Sequence, residues 1–159
     1  CIPGLCRHYY DNHFWPDKIE TCEDEVVLTW LENHLCMIPM DPRRHGCSVV
    51  DGMDITKTKV ETLTKAADDC WEAIMNTDLE LFAKAYKDSF NAQVAMFPAM
   101  IQGCVQNYID KYSAIDDVLA WKMPGAGGGG YLACVVKDAE TFCKNHPEAI
   151  KLKIRRSGF

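Results

Sequence analysis

The sequence lacks a long apolar run: no stretch approaches the roughly 20 consecutive apolar residues of a membrane helix, so no membrane partner is expected. It also lacks a basic surplus. With 17 basic against 23 acidic residues and a formal net charge of -6, it is poorly suited to neutralising nucleic-acid phosphate, which takes clustered Lys and Arg. A phosphate ligand stays admissible, because backbone N–H groups hold anions without net positive charge. No CxxC or Cys/His grouping has zinc-ligand spacing, so no metal is expected within the chain. The nine cysteines are odd in number and dispersed. They read as reduced, buried thiols of a cytoplasmic protein rather than a disulfide framework.

What is present suits one globular domain spanning residues 1–159, with 48% hydrophobic and 25% charged residues. The first residue is Cys1, and the aromatic Tyr9, Tyr10, Phe14 and Trp15 that follow read as folded core rather than a polar tether. A chain cut from a longer protein is therefore expected.

Residues 4 to 19 read as two short strands joined by a turn at Asp11-Asn12. A helix is expected from Glu23 to Asn33 with Thr21 as its cap, then a buried strand from Leu35 to Met40. Thr58 and Glu61 have capping-box spacing, and Val60, Leu63, Ala67, Cys70 and Ile74 recur at helical period. Thr77 and Glu80 repeat the start signal for a second helix, and a third opens at Pro98 and runs through Tyr112. The tail then reads as strand, glycine run, strand, and a short helix near Asp138 to Lys144. In the last segment Ile150, Leu152 and Ile154 alternate with Lys151, Lys153 and Arg155, the pattern of an edge strand with a solvated basic face.

The glycine run MPGAGGGGYL, Met123 to Leu132, carries the chemistry. Five of the six residues from 125 to 130 are glycine, each costing about 0.5–1 kcal/mol against alanine in a regular element. Close backbone approach or positive φ is the remaining reason for such a run, and both arise where successive N–H groups curl around an anion. Gly125, Gly127 and Gly130 satisfy G-x-G-x-x-G, but the β-type run YLACVV follows where a dinucleotide fingerprint needs a helix. No Lys-Ser or Lys-Thr follows, which excludes a P-loop. A flexible hairpin connection is the plainer alternative.

The segment AWKMPGAGGGGYLACVV resembles the third, C-terminal signature of the galactokinase, homoserine kinase, mevalonate kinase and phosphomevalonate kinase (GHMP) superfamily. LCMIPMDPRR followed by the Val60 to Ile74 helix resembles the layout of its sugar-kinase branch, and PGLCRHYY resembles the strand after the catalytic-aspartate segment. The resemblance implies an α+β domain, an antiparallel sheet with helices packed on one face, ferredoxin-like as in the C-terminal domain of those kinases. It implies that Gly125, Ala126, Gly127, Gly128 and Gly129 wall the site where the acceptor hydroxyl meets the γ-phosphate, with ATP and Mg2+ as cofactors, a sugar as acceptor and an N-terminal kinase domain as partner. Arg43 and Arg44 are candidate acceptor contacts, with solvated loop arginines the alternative. The family's Pro-x-x-x-Gly-Leu-x-Ser-Ser-Ala triphosphate loop occurs nowhere in the chain, and its general-base aspartate is expected upstream of Cys1. The chain alone is therefore expected not to transfer phosphate, and a noncatalytic binding or assembly module of the same fold is the rival reading. His8, His13, His34, His45 and His146 read as surface or satisfied histidines, and Asp68-Asp69 and Asp116-Asp117 as solvating pairs.

Overall fold

The computed structural model describes residues 2–11, 13–43, 48–102 and 104–158. Among them the chain begins with an antiparallel hairpin of β1 (Leu5–Tyr9) and β2 (Lys18–Cys22), registered from Leu5 opposite Cys22 to Tyr9 opposite Lys18. The second strand lies further along than the expected span of 4 to 19. Its ladder engages Thr21, opposite Cys6, so Thr21 does not cap the next helix. Asp24 does so instead, its carboxylate accepting from the N–H of Val26 at 2.8 Å and Val27 at 3.4 Å to start α1 (Glu25–His34).

The next two helices also start at other side chains than the expected ones. For α2 (Lys57–Met75) the cap is Thr56, which accepts from Lys59 N at 3.4 Å, while Thr58 lies inside the first turn. For α3 (Leu79–Met96) it is Asp78, accepting from Leu81 N at 2.9 Å, while Thr77 takes φ 52° in the turn. A carboxylate at that place also meets the positive end of the helix dipole. The third expected helix is split: a 3-10 turn covers Pro98–Ile101 and α4 covers Val105–Ser113.

The larger sheet contains β3 (Leu35–Pro39), β4 (Val118–Lys122), β5 (Tyr131–Val136) and β6 (Ile150–Lys151), in the order β4-β5-β3-β6 with every neighbour antiparallel. Between β5 and β6 runs α5 (Ala139–Asn145), at the expected place. The protein is thus α+β. The expectation of helices on one face is corrected: all of Leu132 to Val136 is buried, which requires cover on both sides of the sheet.

On one side Cys36, Ile38, Leu132, Cys134 and Val136 meet Met100, Ile109, Tyr112 and Phe142 of the 3-10 turn, α4 and α5. On the other, Val135 and Ala120 meet Leu31, Ala73, Phe82 and Ala83 of α1, α2 and α3. A register shift between Val118 and Ala120 moves β4 from the first side to the second. Because α3 packs along β4, it gives Phe90 to one cluster and Phe82 to the other, covering a sheet edge.

The tail keeps its alternation only from Leu152 onward, Ile150 being exposed where a buried residue is expected, and it has little ladder. Only Ile150–Lys151 pair with β3; beyond them Ile154 N donates to Glu32 on α1 at 2.6 Å, and Arg155 O accepts from Gly4 N at 2.8 Å. Leu152 and Ile154 are half-buried while Lys151, Lys153 and Arg155 stay exposed. Arg156 holds both Glu25 and Glu32 of α1.

Candidate functional site

Met123, fully buried, anchors the chain where β4 ends, and the glycine run returns it to β5 inside an antiparallel ribbon. Four sets of contacts fix the run. Gly128 N donates to Met100 O at 2.8 Å, and Gly130 N to Asp41 O at 3.2 Å, while Gly130 O accepts from Met40 N at 2.8 Å. Arg43 places Nε and Nη2 at 3.2 and 2.7 Å from Gly127 O. On the α3 side Gln93 Nε2 lies 3.4 Å from Gly125 O.

These contacts separate the glycines by purpose. A Cβ on Gly129 would lie 2.7 Å from both Asp41 O and Arg43 N, so the side chain is excluded by the protein's own backbone. A Cβ on Gly125 would meet nothing within 4 Å, although its φ of 74° still favours glycine. Among the described residues the N–H groups of Gly125, Ala126, Gly127 and Gly129 meet no protein acceptor. Such groups require a partner or water. A hollow of about 240 Å³ adjoins the run, lined by Val49, Val50, Gln93, Phe97, Met100 and Ala126. In its wall Gln93 Oε1 is buried without a partner among the described residues.

Arg43, a candidate acceptor contact, is tied to the glycine run and is not simply a solvated loop arginine. Its Nε and Nη2 both donate to Gly127 O, which makes it a strap for the run. Arg44 and His45 lie outside the described residues. Larger grooves sit elsewhere among the described residues: one of about 690 Å³ between α2 and α3, one of about 640 Å³ beside Glu32 and Arg156, and a mostly apolar one of about 430 Å³ bordered by Phe90, Ile109 and Trp121. Lys65–Asp69 and Lys84–Asp88 line the first, and Arg156 with Glu25 and Glu32 the second. Charges that already neutralise one another offer a ligand little, so the glycine run, with N–H groups that meet no protein acceptor among the described residues and Ala126 in the wall of the smaller hollow, is the better candidate.

Three of the histidines have structural partners. His34 Nδ1 lies 3.1 Å from Val136 O, His13 pairs with Asp17, and His146 stacks on Phe142 at 4.4 Å. Asp68 is more than a solvated carboxylate: Arg7 binds it and so ties β1 to α2. The seven cysteines among the described residues are free. Burial pushes the thiols of Cys36 and Cys70 up to about 12 and about 11, which keeps them protonated and unreactive near neutral pH. No group of His, Cys, Asp and Glu among the described residues could hold a metal, and no helix is long and apolar enough to cross a membrane.

Sequence reasoning missed Gln93 and Lys122. Gln93 falls on the polar side of an ordinary helical stripe, and Lys122 looks like any lysine at a strand end. The period-2 placement of Lys122 with Val118 and Ala120 on a segment read as a strand was an available signal. Compared with known proteins, the chain matches no protein-family model and no curated protein.

Proposed function

We propose that the chain is the C-terminal half of an ATP-dependent small-molecule kinase of the GHMP type, acting on a sugar, and that its glycine ribbon borders the terminal phosphate. The observation that carries this reading is a strapped loop at the end of a paired strand in which four N–H groups meet no protein acceptor among the described residues. Its support in the fold is the strand order β4-β5-β3-β6 together with the succession β3, a helical segment of α2, α3, the 3-10 turn and α4, then β4, β5, α5 and β6, which follows the split β-α-β-β-α-β motif of ferredoxin-like domains with three helices in place of its first one. Phosphoryl transfer is governed by placement and by stabilising charge on the transferred group, and fixed amides serve that purpose without moving. Mg2+ and the general base belong, in this reading, to an N-terminal partner domain.

The noncatalytic module keeps one observation in its favour: at Gly129 the protein's own backbone already accounts for the glycine. Backbone NMR distinguishes the two. On titration with inorganic phosphate and with MgATP, the amides of Gly125, Ala126, Gly127 and Gly129 are expected to shift together, and a loop indifferent to both ligands would leave the module reading. A coupled ADP-release assay on the isolated chain is expected to give no sugar-dependent turnover, and turnover there would refute the division of labour between two domains.

A further inference from the structure

Lys122 ends β4 where the glycine run begins, half-buried, on the side of the sheet that meets α2 and α3. Its ammonium donates to Ser89 Oγ on α3 at 2.5 Å, and Ser89 is the one buried polar residue among those described. An ammonium removed from water ordinarily sits beside a carboxylate, yet Lys122 belongs to no ion pair among the described residues. The charges that act on the neighbouring Cys70 of α2 are those of Lys122, Asp69 and Asp88. Both carboxylates are engaged elsewhere: Asp69 by Lys65 at 2.6 Å and Asp88 by Lys84 at 2.7 Å, each one turn away on its own helix.

We propose that Lys122 is a site of N-acylation by small activated acyl donors of the acyl-phosphate class. In the step, the lone pair of the free amine attacks the carbonyl carbon, a C–N bond forms, and the C–O bond to phosphate breaks with its electron pair leaving on phosphate. The proton lost from nitrogen passes to solvent water, while Ser89 Oγ at 2.5 Å accepts a hydrogen bond from the nitrogen and holds it in place. The product is an uncharged amide, so the half-buried position no longer holds a cation. Burial supports the step by pushing the pKa of the amine below its ordinary value, which enlarges the reactive free-base fraction near neutral pH.

The test uses the intact chain and acetyl phosphate at neutral pH, with acetylation of each lysine followed in time by peptide mass spectrometry. Lys122 is expected to react severalfold faster than Lys57, whose side chain is 90% exposed, and the advantage is expected to vanish in urea. A Lys122 rate equal to or below that of Lys57 in the folded protein overturns the proposal, as does an advantage that persists after unfolding. No nucleotide or sugar takes part, so the outcome is independent of the kinase reading.

Discussion

Replacing Gly125 and Gly129 separately by alanine measures how the glycine run is held. At Gly125 the added Cβ enters open space, and the cost is that of a left-handed L-residue, about 1–2 kcal/mol, partly offset by a less flexible unfolded chain worth about 0.4–1 kcal/mol. At Gly129 φ is 146° and the Cβ would stand 2.7 Å from Asp41 O and from Arg43 N. Neither neighbour is free to retreat, since Asp41 O accepts from Gly130 N and Arg43 is bound to Gly127 O. Backbone must shift, at a cost of about 3 kcal/mol or more. For a domain of this size each kcal/mol moves Tm by about 2–4 °C. Gly125→Ala is therefore expected to lower Tm by only a few degrees, and Gly129→Ala by roughly 6–12 °C. Urea titration followed by far-ultraviolet circular dichroism, at unchanged m-value, gives the same comparison isothermally. Equal losses, or the larger loss at Gly125, would refute the idea that the run is pinned on its Asp41 side and open on its Gly125 side.

Two further outcomes follow from the contacts of single side chains. Arg43→Ala removes both bonds to Gly127 O and is expected to cost about 1 kcal/mol; hydrogen exchange at Gly128 N–H should quicken, and unchanged protection there would show that Arg43 is no strap. Glu148, which accepts from Tyr112 O–H at 2.6 Å, has its carboxyl held down to about 2. Because the folded value is depressed, this contribution is complete above the unfolded value of about 4.3 and is lost as pH falls toward about 2. Tyr112→Phe should flatten that part of the Tm-against-pH curve, and a curve of undiminished slope would exclude the pair as its source.

Much of the fold was legible because its signals are local. The period of Val60 to Ile74 reports a helix, and strand-glycine-strand reports a ribbon, from neighbours a few positions apart. The caps were misread by one to three residues because Thr21, Thr58 and Thr77 carry the same hydroxyl as a true cap. Whether that oxygen meets a free N–H depends on where the preceding ladder or turn releases the chain. The one-sided arrangement of helices failed for a related reason. A fully apolar β5 is compatible with cover on one face or two, and only the paths of α3 and α4 distinguish them.

The run between Gly125 and Gly130 was bound to be a turn of unusual backbone whatever surrounded it, since backbone freedom and the missing side chains are properties of those residues alone. Which of its amides remain open, that Arg43 reaches across 84 positions to hold it, and that Lys122 stands beside a hydroxyl without a carboxylate are matters of packing. Each depends on atoms brought together by α3 and the end of β3 from distant parts of the chain, and no local pattern encodes such a meeting.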